Sequence, residues 1–234
     1  TNSGSKIDRG YVGHKSAKLM KRAKSQENRM MAAVSEKSKL LQNTEQSDRL
    51  EINPLRYPKN VLVNAKELSL FYDDTPVCSD ITFQIRQGDR IAIKGKNGSG
   101  KSTLLKLICG ENIKHSGTIE IGSNLKISYV SQDTSFLRGS LADYAEQSNI
   151  DESLFKAILR KMGFERIQFE KDIEDFSEGQ KKKVLIARSL CEQAHLFVWD
   201  EPLNFIDVIS RMQIEELLLE YKPTMIFVEH DIAF

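Results

Sequence analysis

The 234-residue sequence has few cysteines, few prolines and no long apolar run. Its three cysteines, Cys78, Cys109 and Cys191, are scattered and include no C-x-x-C pair, so we expect reduced core thiols rather than disulfides or a zinc site. No apolar stretch approaches the roughly 18 residues of a membrane span, and the opening TNSGSKIDRG lacks the apolar segment of a secretory signal. These absences favour a cytoplasmic protein with no membrane span.

The formal net charge is only +1, but the charges are unevenly distributed. Residues 1–50 contain eleven Lys and Arg but only five Asp and Glu, so the remaining chain is slightly acidic. A surface that attracts an acidic partner is therefore expected at the amino-terminal end.

The first 53 residues differ from the rest and read as a linker. Residues 1–13 are rich in Ser, Gly and Asn and predict a loop, whereas residues 14–42 contain no Gly or Pro and have apolar residues at helical spacing. A narrow apolar stripe on so long a basic helix usually packs against an antiparallel partner. We therefore expect part of a helical hairpin, followed by a Pro-containing connection into a globular domain over 54–234.

Strands alternate with helices over that second domain, which predicts a mostly parallel sheet. The predicted strands are Val61–Tyr72, Ile81–Ile85, Ile91–Ile93, Gly117–Ile121, Lys126–Ser131, Leu196–Trp199 and Thr224–Glu229. The predicted helices are Ser102–Cys109, Leu141–Phe169, Ser177–Cys191 and Asp207–Tyr221. Because a complete domain normally finishes with a further strand or helix, we expect a carboxyl-terminal truncation.

The stretch GKNGSGKS, residues 95–102, satisfies the phosphate-loop pattern G-x-x-x-x-G-K-[ST] between a predicted strand and a predicted helix. Its glycines let backbone N–H groups approach phosphate oxygens, and the helix amino terminus adds positive charge. Lys101 would reach the β- and γ-phosphates, and the Ser102 hydroxyl would hold Mg²⁺. The sequence therefore predicts a nucleoside triphosphate site.

Five further short motifs follow in a set order: Gln132 after KISYVS, then FSEGQ at 176–180, LFVWDE at 196–201, NFID at 204–207, and His230 after MIFVE. This order resembles the nucleotide-binding domain of the ATP-binding cassette (ABC) superfamily over about residues 60–234. The resemblance implies an α/β P-loop NTPase of ABC type: a mostly parallel sheet with an antiparallel β-subdomain and a helical subdomain, here preceded by a long basic α-helix.

The resemblance also implies roles for individual residues. Tyr72 would stack on adenine, Gln132 would lie near the metal and the attacking water, and Asp200 would support Mg²⁺. Glu201 would polarise the water, and His230 would contact the γ-phosphate. Alone, Gln132 and His230 are ordinary polar residues, Glu201 could cap a strand end, and Tyr72 could pack in the core.

The signature FSEGQ departs from the usual family sequence L-S-G-G-Q at Phe176 and Glu178. Ser177 and Gln180 also form a helix capping box, which is the purely structural interpretation. In the family, Ser177 and the helix amino terminus would bind the γ-phosphate of a second cassette, and the Glu178 carboxylate could hinder or tune this. One such domain has half of each composite site, so the chain alone should bind ATP and hydrolyse it poorly.

The resemblance assigns three groups of site residues. Catalytic roles go to Glu201, His230 and Gln132. Nucleotide contacts go to Tyr72, Gly95, Asn97, Gly98, Ser99, Gly100, Lys101, Ser102, Thr103, Ser177, Gly179 and Gln180. Contacts to Mg²⁺ go to Ser102, Gln132 and Asp200.

The basic helix, PLNFID and SEGQ together look like the second cassette of an ABC-F protein of the antibiotic-resistance group, which protects the ribosome. The linker would then enter the 50S subunit near rRNA and the P-site tRNA, with phosphates neutralised by Lys15, Lys18, Lys21, Arg22 and Lys24. A nucleotide-binding subunit of a membrane transporter and a housekeeping ABC-F translation factor are the alternatives. The expected partner is the other cassette of the full-length chain, in a head-to-tail ATP sandwich, and two copies of this chain could pair likewise.

Overall fold

The computed structural model describes residues 54–72 and 75–229. The predicted linker helix, its basic residues and His230 lie outside these ranges. The described strands are β1 Val61–Tyr72, β2 Thr75–Arg86, β3 Arg90–Ile93, β4 His115–Ile121, β5 Ile127–Val130, β6 Leu196–Asp200 and β7 Met225–Val228. The helices are α1 Lys101–Ile108, α2 Leu141–Gln147, α3 Glu152–Lys161, α4 Glu178–Cys191 and α5 Val208–Tyr221, with 3-10 turns at Arg166–Glu170 and Ile173–Asp175.

The strands form two sheets, as the resemblance implies. One is an antiparallel sheet of three strands in the order β2-β1-β4, and the other is a parallel sheet of four strands in the order β3-β7-β6-β5. Every residue of the central strands β6 and β7 is buried. Parallel sheets are covered on both faces, which is why these strands read as continuous apolar runs rather than as an alternation.

The two faces of the parallel sheet contact different hydrophobic cores. In β6, Leu196 and Val198 pack into the core that includes the antiparallel sheet and α1, whereas Phe197 and Trp199 pack into the core of α2 to α5. Strand β7 alternates in the same way. Successive side chains of a strand point to opposite faces, so one fully apolar segment supplies both cores at once.

The segment Leu141–Phe169 is largely helical, as its pattern predicts, but it is not one continuous helix. The segment instead contains α2, α3 and a 3-10 turn. Asn149 has the left-handed φ of 52° just after α2, and Asp151 caps α3 by accepting a hydrogen bond from the backbone N–H of Leu154. These residues stop and restart the helix without interrupting the apolar spacing, so periodicity alone did not reveal the break.

The three cysteines are free and half-buried. Burial is the main cause that raises the pKa of Cys109 and of Cys191 to about 12, so both thiols are protonated at neutral pH. Among the helices in the described ranges, none is long and apolar enough to cross a membrane.

A buried polar cluster joins α4 to the parallel sheet. The Ser189 hydroxyl of α4 accepts a hydrogen bond from the Trp199 indole at 2.9 Å and lies 2.6 Å from the Ser128 hydroxyl. All three residues are at most 1% exposed. Since buried polar groups require partners, this cluster fixes how α4 sits on β5 and β6.

Replacing Ser189 with alanine should destabilise the fold by about 1–3 kcal/mol, because it leaves the buried Trp199 N–H without an acceptor. Ser128→Ala is the matched control, since the Ser189 hydroxyl still accepts from the indole. Urea denaturation of both variants measures the difference. Equal loss of stability in the two variants would contradict this assignment.

Candidate active site

The phosphate loop lies between β3 and α1, as predicted from the motif. Gly100 is the residue before α1 and has a φ of 84°, in the left-handed region that glycine tolerates best. A Cβ at Gly100 would lie 3.2 Å from side-chain atoms of Val77 and of Cys78. The loop therefore packs tightly against β2, and through it the antiparallel sheet touches the phosphate loop.

The ammonium of Lys101 is held inside the loop. The residue is 8% exposed, and its Nζ donates hydrogen bonds to the carbonyl oxygens of Gly95 at 3.0 Å and Lys96 at 2.9 Å. Ser99 also closes the loop, since its backbone N–H donates to Lys96 O at 3.2 Å. Asn97 and Gly98 are exposed at the outer side, and Ser102 and Thr103 are half-buried in the first turn of α1. The geometry places a fixed positive charge beside the helix amino terminus, which suits an anionic ligand.

Asp200 ends β6 and is the most buried carboxylate at this edge of the sheet, with 1% exposure. Burial raises its pKa; a hydrogen bond from Ser102 opposes this, while the charge of Glu201 adds to it. Among the described residues, no group donates a hydrogen bond to Asp200 Oδ1. A buried carboxylate oxygen without a partner, next to a serine hydroxyl, is a donor set that fits Mg²⁺.

Glu201 follows Asp200 and is held by two side-chain amides. Its Oε2 accepts hydrogen bonds from Gln132 Nε2 at 2.9 Å and from Asn204 Nδ2 at 2.5 Å. Its backbone has the left-handed φ of 48°, and its N–H donates to Val228 O at 3.2 Å. The structure therefore brings the side chains of Gln132 and Glu201 into contact. The contact of Gln132 with a metal stays a prediction.

Asn204 belongs to the NFID motif and contacts the candidate site, although its sequence alone predicted no role for it. Its position three residues after Glu201 was the available signal. The amide donates to the carboxylate and so orients it.

The signature FSEGQ starts α4 with the capping box that its sequence predicts. The Ser177 hydroxyl accepts from Gln180 N at 3.3 Å, and Gln180 Oε1 accepts from Ser177 N at 2.9 Å. Gly179 lies against the backbone of Phe205, because an added Cβ would be 2.3 Å from Phe205 O. Among the described residues, no hydrogen bond joins Ser177, Gly179 or Gln180 to the phosphate loop.

Tyr72 ends β1 and is 71% exposed, so it is not a core residue. It pairs with Thr75 at the tip of the hairpin whose second strand contacts Gly100. Stacking of Tyr72 on adenine stays a prediction, and His230 lies outside the described residues.

Comparison with known proteins identifies the family. The family model described as ABC transporter matches residues 78–204, which is more than half of the chain. The chain belongs to the ABC transporter family. ABC domains use ATP with Mg²⁺ and work with a second cassette.

The curated relatives include ATP-binding protein Uup from Buchnera aphidicola, which is 30% identical over 81% of this chain and 33% of the relative. YheS from Escherichia coli K12 is 30% identical over 76% of this chain and 30% of the relative. This chain therefore spans about a third of the length of the curated relatives it matches.

Solved structures agree with the fold. An ABC transporter ATP-binding protein from Pyrococcus furiosus has a TM-score of 0.63 at 25% identity, covering 74% of this chain and 93% of that one. A bacterial Atm1-family ABC exporter with ATP bound has a TM-score of 0.66 at 19% identity, covering 80% of this chain and 37% of that chain, and shows the fold alone.

The NFID motif ends in Asp207, which caps α5 of the ABC domain. Its carboxylate accepts from Ser210 N at 3.0 Å and from Lys183 Nζ at 3.1 Å. Burial by itself would raise the pKa of Asp207, but the hydrogen bonds from Ser210 and Lys183 outweigh it and lower the pKa to about 2. The ion pair joins α4 to α5 beside the signature.

Asp207→Asn should cost up to about 1 kcal/mol of stability at pH 7, because Asn keeps the cap but loses the charge and the ion pair is partly exposed. The folded-state pKa is about 2, below the ordinary 3.8. The stabilisation is therefore present above about pH 4 and is lost as the pH falls towards 2.

Urea denaturation across a pH series checks this prediction. Asp151→Asn is the control, because Asp151 caps α3 but forms no ion pair with any described lysine. The prediction would be contradicted if the free energy of unfolding of Asp207→Asn were lower than that of wild type by the same amount at pH 2 as at pH 7.

Proposed function

We propose that this chain is the ATP-binding and ATP-hydrolysing cassette of an ABC-F protein that binds the ribosome and confers antibiotic resistance by target protection. The observation that carries the ATPase part is the unpartnered buried oxygen of Asp200 beside Ser102, next to a Glu201 carboxylate that amides hold in place. The ABC-F assignment is supported by the relatives Uup and YheS and by the basic amino-terminal stretch.

In the proposed reaction, backbone N–H groups of residues 95–102 and Lys101 bind the phosphates. Ser102 and Asp200 would hold Mg²⁺, which neutralises charge on the phosphates when bound. Glu201, oriented by Gln132 and Asn204, accepts a hydrogen bond from the attacking water and so aligns it with the γ-phosphate. His230 would contact the γ-phosphate.

The second half of the site would come from another cassette. Among the described residues, no hydrogen bond joins Ser177, Gly179 or Gln180 to the chain's own phosphate loop, and we propose that they contact the nucleotide bound by the partner cassette. The relatives are about three times as long as their matched part, which leaves room for that cassette on the same polypeptide.

Measurements of ATP binding and hydrolysis distinguish the roles of Lys101, Asp200 and Glu201. Lys101→Ala should abolish ATP binding, and Asp200→Asn should remove its dependence on Mg²⁺. Glu201→Gln should keep ATP affinity but lower kcat by at least about 100-fold, since it weakens the water-orienting carboxylate. Equilibrium binding of fluorescent ATP with and without Mg²⁺, followed by phosphate-release assays, measures all three.

Wild-type kcat in a Glu201→Gln variant would overturn the assignment of Glu201. Glu192→Gln is a control, because it removes a carboxylate that pairs with Arg188, away from Asp200.

The ribosomal part rests on the basic residues Lys15, Lys18, Lys21, Arg22 and Lys24. In the full-length protein with Glu201→Gln and the matching change in the other cassette, we expect ATP-dependent co-sedimentation with 50S ribosomes. Raising the salt should weaken it, because phosphate contacts release counterions. Changing Lys18, Lys21 and Arg22 to Gln should weaken it further and flatten the salt dependence.

The control removes three exposed cations from the helical subdomain, namely Lys161, Arg166 and Lys171, and should leave co-sedimentation unchanged. Absence of ribosome binding at low salt, together with co-purification of a membrane permease, would favour the transporter alternative. Ribosome binding without any effect on drug susceptibility would favour the housekeeping translation factor.

A further inference from the structure

Two hydrogen bonds join the loop around Gln132 to one face of α4. Lys182 Nζ donates to Ser131 O at 2.8 Å, and the Thr134 hydroxyl donates to Glu178 Oε2 at 2.6 Å. We call these four residues the α4 clasp. Gln132 lies between its two loop residues, so the clasp holds the chain on both sides of the catalytic candidate.

The two helix residues of the clasp lie on one face of α4. Glu178 and Lys182 are four positions apart on α4, and residues at that separation share a helix face. Lys182 is 2% exposed and Thr134 is 4% exposed. A buried hydroxyl or ammonium that loses its acceptor is costly, so the two buried donors, Thr134 and Lys182, stabilise the contact between the loop and α4.

The loop is also braced internally. The Ser131 hydroxyl donates to Asp133 O at 2.5 Å, and both the backbone N–H and the hydroxyl of Ser135 donate to the Asp133 carboxylate. These bonds occupy the polar side chains next to Gln132, whose amide instead reaches Glu201 at 2.9 Å. The backbone of Glu201 is bonded to Val228 O at the end of the parallel sheet, so a loop that moves away from α4 carries Gln132 away from Glu201.

We propose that Glu178 is a positioning residue: through Thr134 it fixes the Gln132 loop on α4 and so sets the contact of Gln132 with Glu201. This rests on the proposed ATPase function. Glu178 stands where the family usually has glycine, which has no side chain with which to make such a bond. The carboxylate thus links the start of the signature helix to the water-orienting glutamate of the same cassette.

Glu178 also has contacts that the test must separate from the clasp. It lies in the first turn of α4, where a negative charge is favourable, and its Oε1 is 3.5 Å from Lys181 Nζ. Thr134→Val removes the clasp hydroxyl at nearly constant volume and leaves these helix contacts intact. Thr134→Ser keeps a hydroxyl and should rescue the function.

The experiment uses the full-length protein and two measurements. Hydrogen exchange of the peptide amides in 131–135 should be at least about tenfold faster in Thr134→Val and in Glu178→Gly, because the loop opens locally. Phosphate release should show kcat about tenfold lower with KM for ATP within about twofold of wild type, because the clasp orients but does not bind nucleotide. The double variant, Thr134→Val with Glu178→Gly, should have a kcat no lower than that of either single variant, because both substitutions break the same hydrogen bond.

Glu152→Gly is the matched control, since Glu152 is also the first residue of a helix and also pairs with a nearby lysine, Lys156. It should leave both measurements of the loop and of kcat unchanged. Unchanged exchange in 131–135 in Thr134→Val would overturn the clasp even if the protein hydrolyses no ATP. Wild-type kcat with accelerated exchange would overturn the positioning role, and absence of hydrolysis in the wild type would instead refute the proposed ATPase.

Discussion

The buried carboxylate of Asp200 is the constraint around which the described domain is arranged. It is 1% exposed, its pKa is raised chiefly by burial, and one of its oxygens has no hydrogen-bond partner among the described residues. Such a group is costly to bury, so the fold must supply compensation. The Ser102 hydroxyl and the positive charges of Lys182 and Lys106 supply part of it, and a bound cation would supply the rest.

That compensation comes from both sides of the parallel sheet. Ser102 belongs to α1, in the core shared with the antiparallel sheet, whereas Lys182 belongs to α4, in the other core. Because β6 is buried on both faces, its carboxyl end is the place where groups from both layers converge. Open α/β sheets bind ligands at this edge.

Sequence patterns located the chemistry better than the packing around it. The phosphate loop, the Asp200-Glu201 pair and the capping box of α4 are local signals, since each depends on neighbouring residues and its secondary structure. The break between α2 and α3 was missed because apolar residues at helical spacing occur on both sides of it, Tyr144 and Ala145 before it and Leu154 and Phe155 after it. The contact of Thr134 with Glu178 spans 44 positions, so only the tertiary fold brings the two together.

The chain from Glu201 to Phe205 shows why the motifs are best understood as one assembly. Both end residues have left-handed φ values, 48° and 65°, without being glycine. Each costs of order 1–2 kcal/mol, and such strain persists only where neighbours over-determine the backbone. Here those neighbours are the Asn204 amide on Glu201 and the close contact of Gly179 with Phe205 O.

A side chain at position 179 would therefore clash with the backbone of Phe205. Because Glu201 is at the other end of the same turn, the clash would also change the orientation of Glu201. The small residue in the signature and the strained turn after β6 require each other. This mutual dependence explains in physical terms why position 179 is a glycine although the neighbouring position 178 has a carboxylate in place of the usual family glycine.

The side chain of Glu178 is 56% exposed and is free of that close backbone approach. Position 178 can therefore hold a longer side chain that bonds to the Gln132 loop, whereas position 179 can hold none.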